Sequence, residues 1–295
     1  MKQFEARSIA RRIVDFPLVA MAIAVALYAC AAALAYWIVR TLPAMPQNTK
    51  IPVQVTVNVG VLLVTYKVAI RHLGELPRDD LPLRGSLKNL ALGFAGGVAL
   101  FGMVVGLAAL VGVYRIVGCC EQGQIVRDIF ETAILAGFAE ELLFRGILFR
   151  WIEEFAGSWV ALIVTAGLFG LVHIENPNAT WFSSFAIAVE AGLLLGGAYM
   201  LTRSLWAPIG LHAAWNFAQG YIFDIPVSGV PENGLTQAKL SGPALLSGGQ
   251  FGLEASVLAL VVATAAGIWL VVLAVRRGEL MQPWWVRKRE LPAAA

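Results

Sequence analysis

The stretch AGFAEELLFRGILF, residues 136–149, sets Glu140, Glu141 and Arg145 inside a run that is otherwise apolar. Whether that run crosses a bilayer or packs in a soluble core settles the fold class. Of the 295 residues, 59% are hydrophobic and 14% charged, and the mean hydropathy is +0.74. A soluble domain carries about 25% charged residues. Apolar runs of about 20 residues are the signature of membrane helices.

Working outward from 136–149, the chain shows eight such runs, at 16–39, 51–70, 89–113, 125–149, 157–174, 181–201, 205–222 and 253–275. The sequence therefore predicts an all-α, polytopic bundle of about eight transmembrane helices, forming a single integral membrane domain over 1–295. The first run follows a basic tail and is longer than the core of a cleaved leader, so it reads as a signal anchor. Placing both termini in the cytoplasm puts sixteen of the 22 lysines and arginines on the inner side and five outside, with Arg145 inside a span. That split follows the positive-inside rule.

The net charge of +3 belongs to these flanks, and no basic patch interleaved with aromatics suggests nucleic acid. The lipid bilayer is the expected partner, and WWVRKRE at 284–290 reads as an interfacial anchor. Three cysteines, Cys30 and the neighbours Cys119 and Cys120, make neither a disulfide framework nor a metal motif. The Gly-, Ser- and Pro-rich segment 223–252 reads as an outer connection.

A charge at the bilayer centre costs roughly 2.5–3.5 kcal/mol, so Glu140, Glu141 and Arg145 together would cost about 8–10 kcal/mol facing lipid. They must face protein or a water-filled cavity. Glu141 and Arg145 stand four apart and share a helix face as a pair. Glu140 points about 100° away and has no partner in its own span. In GLHAAWNF, His212 and Asn216 also share a face, and His173 ends the fifth run where Asn176 and Pro177 break the helix. Glu190, beside the small-residue face of Gly192 and Gly196, could lean into the same cavity or bond a neighbouring helix, and the second is the expectation. Gly93 and Gly97 form a second packing face.

Two chemistries fit this set. Glu140, His173 and His212 could ligate zinc with water in the open position. Without metal, Glu140 and His173 could activate water while His212 and Asn216 hold an oxyanion. Intramembrane Glu and His also build the proton relays of transporters. A third alternative is a scaffold that binds membrane partners without catalysis.

Glu140-Glu141-xxx-Arg145, Phe169-xxx-His173 and His212-xxx-Asn216, in this order across 125–222, resemble the EExxxR, FxxxH and HxxxN motifs of the CAAX protease and bacteriocin-processing (CPBP, or Abi) intramembrane proteases. These include the type II CAAX prenyl endopeptidases. The resemblance implies an eight-helix endopeptidase with its catalytic core at 125–222, acting on a peptide or protein in or at the membrane. Its site would open to the cytoplasm, as in CAAX-processing members. It further implies that Glu140 works with His173, that His212 and Asn216 line the oxyanion hole, and that Glu141 and Arg145 support them. Zinc and metal-free mechanisms are both represented in what the family implies. The Ala- and Gly-rich composition suggests a bacterial inner membrane.

Overall fold

The computed structural model describes residues 8–75, 78–119 and 125–290. Lys2, Arg7 and Cys120 lie outside them. A short helix α1 (Ile9–Asp15) leads into three long ones, α2 (Pro17–Thr41), α3 (Gln47–His72) and α4 (Ser86–Leu110). Strand β1 (Tyr114–Cys119) follows, then a continuous helical rod, α5, over 125–156. Next come α6 (Ser158–Val172), α7 (Trp181–Thr202) and α8 (Trp206–Phe217), the last extended by a π-wound turn at Ala218–Ile222. Strand β2 (Thr236–Leu240), the single turn α9 (Ala244–Ser247), α10 (Val257–Arg276) and α11 (Trp284–Glu290) complete the chain. The fold is the expected all-α membrane bundle, with one antiparallel ribbon, β1–β2, that hydropathy did not signal.

Among the described residues six helices are long and apolar enough to cross a membrane. Helix formation there is compulsory, because the hydrocarbon offers no other partner for backbone N–H and C=O. The fourth and seventh runs are not among the six. Rod α5 alternates winding: Asp128–Leu135 and Leu142–Phe149 are π-wound, with the α-helical Ala136–Glu141 between them. Helix α8 is short and buried from Ala207 to Asn216, so it is enclosed by protein on all sides. The two elements bearing EExxxR and HxxxN are thus the centre of the bundle. Trp37, Ile163 and Trp269 lie on exposed faces of the surrounding helices, where lipid would meet them.

Glycine sets the close approaches. A Cβ on Gly93 would lie 2.2 Å from the Ala207 carbonyl, and one on Gly97 2.4 Å from the Leu211 carbonyl, so α4 and α8 pack backbone to backbone. Gly192 does the same against Ala166 of α6, at 2.4 Å. Both glycine faces read from the sequence are packing faces.

Some of the charges counted as inner flanks are drawn into the protein, while others, such as Arg71, Lys88 and Arg276, stay exposed. Asp80 is fully buried and accepts from Arg78 at 2.6 Å, from the Tyr66 hydroxyl at 3.1 Å and, through a very short contact, from Arg150. Glu153, also buried, takes both Arg203 (2.8 Å) and the Ser158 hydroxyl (2.6 Å). Arg287 of α11 donates to the Glu154 carbonyl at 2.6 Å, tying the C-terminal anchor helix to α5, and Lys288 lies 4.0 Å from the Trp284 ring centre. Orientation depends on the number of basic residues and not on their net charge, so these pairings leave the topology argument unchanged.

Glu154 gives this network a pH signature. Burial pushes its carboxyl from 4.5 up to about 7, against the opposing pull of Arg150, Arg78 and Arg287. Between those values the folded chain keeps a proton that the unfolded chain has lost, so stability falls as pH rises from about 4.5 to about 7 and levels off above. Glu154→Gln should therefore melt higher than the parent at pH 8, by up to about 3 kcal/mol, with the gap shrinking toward pH 5. Thermal melting in one detergent at both pH values checks this; a gap independent of pH would contradict it.

Candidate active site

The bundle centre is organised by Glu141. Its Oε1 accepts from the Arg145 guanidinium at 2.8 Å and from His212 Nδ1 at 3.0 Å. The first bond is the expected one-turn pair; the second joins α5 to α8. Glu141 and Arg145 are fully buried. Arg145 also donates to the Ala191 carbonyl of α7 at 3.1 Å and lies 4.7 Å from the Phe169 ring centre of α6. One guanidinium therefore touches two further helices besides its own pairing partner, which is what a planar five-donor group permits.

Phe169 is the hub of the aromatic contacts. Its ring centre lies 4.9 Å from that of Phe144, 4.7 Å from His173 and 6.1 Å from His212. Its carbonyl is one of the four left open at the end of α6. His173, at the C-cap, uses Nδ1 to satisfy it at 2.6 Å. A carbonyl only accepts, so Nδ1 carries the proton and Nε2 keeps its lone pair. By the same reasoning, His212 points Nδ1–H at Glu141 and leaves Nε2 free.

Glu140 carries a buried Oε2 with no hydrogen-bond partner. It lies within electrostatic reach of His173, His212 and Arg145. Asn216 donates from Nδ2 to the Thr132 carbonyl at 2.9 Å, which occupies one of its two amide hydrogens. His173, His212 and Asn216 line one cavity of about 40 Å³, room for a few water molecules. Its walls are otherwise mainly apolar, from Phe169, Leu194, Leu195, Leu211 and Trp215. Glu140 flanks the histidines without lining this cavity itself.

Two expectations need correcting. Glu190 does not bond a neighbouring helix: it lines the cavity, and its Oε2 is buried without a partner. Gly192 and Gly196 bring the backbones together there, and no donor on the facing surfaces reaches the carboxyl. Segment 223–252 is more than a connection. It pairs β2 with β1, and Ser228 reaches the cavity wall, where its N–H donates to Glu254 through a very short contact. Glu140, His173 and His212 do not form a three-ligand group able to hold a metal; no such group of His, Cys, Asp and Glu occurs among the described residues.

Glu254 and Ser228 escaped the sequence reading. Glu254 lies at the start of the eighth apolar run, so the signal that exposed Glu140, an acid inside a span, was present there too. Ser228 gave no signal, because only the fold of the loop brings it inward.

Comparison with known proteins agrees with the motifs. Residues 122–218 match the family described as "Type II CAAX prenyl endopeptidase Rce1-like". A Bacillus subtilis (strain 168) protein named "Putative membrane peptidase YdiL" is 24% identical over 166 residues, covering 54% of this chain and 64% of its own length. The match thus spans less than two thirds of that relative. No solved structure matches.

Proposed function

From the match of residues 122–218 to the Rce1-like family and the likeness to a membrane peptidase, we propose that this chain is a CPBP-type membrane protease that hydrolyses peptide bonds in membrane-associated or lipidated peptides without metal. One observation carries the reading. A half-buried carboxyl whose inner oxygen, Glu140 Oε2, has no hydrogen-bond partner stands beside two histidines that turn Nδ1 to other acceptors and leave Nε2 available, next to a cavity that Asn216 also lines.

In the proposed cycle, water held between Glu140 and His173 Nε2 attacks the scissile carbonyl as Glu140 takes its proton. The new C–O bond places negative charge on the former carbonyl oxygen. Asn216 Nδ2 and a protonated His212 Nε2 donate to that oxygen. Glu141 supports the extra proton on His212 through Nδ1, and Arg145 fixes Glu141 in place. The C–N bond then breaks as Glu140 returns the proton to the leaving amine. In this reading the protein sits in a bacterial inner membrane with both termini in the cytoplasm and 223–252 on the outer side, an orientation that the excess of basic residues on the inner flanks supports. Ser228 and Glu254 then approach the cavity from the outer end, opposite the Asp80–Arg150 network.

Purified protein in lipid nanodiscs, offered a quenched-fluorescent peptide library, should cleave a subset of it at an unchanged rate after chelator treatment. Failure to cleave any peptide would overturn the hydrolytic reading, and loss of cleavage with chelator would overturn the metal-free one.

A further inference from the structure

The proposed cycle leaves two buried carboxyls in the same cavity unused. Glu190, on α7, is 3% exposed, and Glu254, in the turn before α10, is 5% exposed. Both line the cavity wall. They are close enough to interact electrostatically with each other. The Ser228 N–H fixes one oxygen of Glu254, so that carboxyl is held in place; Glu190 Oε2 has no donor at all. His212 acts on Glu254 across the cavity, but without a direct contact. Arg145, the nearest buried guanidinium to α7, is engaged by Glu141 and the Ala191 carbonyl, and among the described residues neither Glu190 nor Glu254 takes part in an ion pair.

Two adjacent acids without an ion-pair partner among the described residues, walled by Leu194, Leu195 and Trp215, are costly to ionise and gain strongly from a positive partner in direct contact. The cavity they share with His173, His212 and Asn216 is the one a substrate would enter. Building on the hydrolytic reading above, we infer that Glu190 and Glu254 form an acidic subsite for a cationic nitrogen of the substrate, beside the scissile bond. The nitrogen would belong to a Lys or Arg side chain or to a free peptide amino terminus. It would bridge the two carboxyls, and the fixed Glu254 would set its position.

Binding tests this separately from catalysis. The host is the full-length Glu140→Gln protein in nanodiscs, and the probes are fluorescent peptides read by anisotropy. One is N-acetylated with a single internal Lys, one carries norleucine in its place, and one has norleucine with a free amino terminus. In the host, the Lys or the free-amine peptide should bind at least about tenfold tighter than the neutral peptide, the scale of one charge-assisted hydrogen bond. The arm that shows the preference identifies the source of the nitrogen. Adding Glu190→Gln or, separately, Glu254→Gln should bring the ratio to within about twofold. Because the ratio is taken within each variant, a general loss of folding does not mimic the effect, and either variant suffices. Equal affinities in the host, or a preference surviving both substitutions, would overturn the subsite. Failure of the hydrolytic reading would show instead as wild-type protein that cleaves nothing, with these binding ratios still measurable.

Discussion

Glu140→Gln is expected to lower the rate of peptide cleavage by about 10²–10⁴-fold, the range attributed to a positioned general base. The substitution keeps the shape of the side chain and removes only its capacity to accept a proton. It should not destabilise the fold, because Glu140 makes no hydrogen bond through its buried Oε2. A neutral amide there relieves the burial of an unpaired charge, so the melting temperature should hold or rise. Loss of activity with stability retained separates a chemical role from a structural one. If Glu140→Gln unfolds the protein, Glu140 is a packing residue and the assignment of roles is wrong.

Arg145→Met should have the opposite profile. Glu141 would remain buried, bonded only to His212, and removing one member of a buried ion pair costs about 3–5 kcal/mol. The contacts to the Ala191 carbonyl and the Phe169 ring would go with it. The double variant Glu141→Gln/Arg145→Met deletes both charges and should regain much of that stability, since the remaining charge is no longer stranded. Activity should not return with it, because the Glu141 carboxylate also fixes His212 and supports its protonation. Thermal melting and cleavage assays on the two single variants and the double one form a cycle that tests both points. Additive stability losses would show that the two side chains act independently, contrary to the geometry.

Much of this arrangement was legible in the sequence because it is local. The apolar runs show the helices, the spacing of Glu141 and Arg145 gives their pairing, and Gly93 and Gly97 mark a face where a backbone must come close. What could not be read depends on contacts across long separations. Glu141 bonds His212 from 71 positions away, and Arg150 reaches Asp80 across 70. Spacing along one helix says nothing about either. The basic residues beside the spans are the ones expected, but Arg150 and Arg78 are held by buried carboxylates that hydropathy treats as solvated. Glu190 illustrates the limit of pattern. A small-residue face beside an acid suggested helix–helix bonding, whereas the close approach it permits left the carboxyl facing a cavity. The π-wound stretches on both sides of Ala136–Glu141 have no sequence rule behind them, and they set which side of α5 each acid occupies.

The most direct test of the central claim is isotopic. Wild-type protein and Glu140→Gln would each be incubated with a cleavable peptide in ¹⁸O-enriched water, and the products weighed by mass spectrometry. The expected result is one ¹⁸O in the new carboxyl terminus made by the wild type, and no product from Glu140→Gln on the same timescale. Labelled product appearing at a similar rate from Glu140→Gln would contradict the claim that Glu140 activates the attacking water.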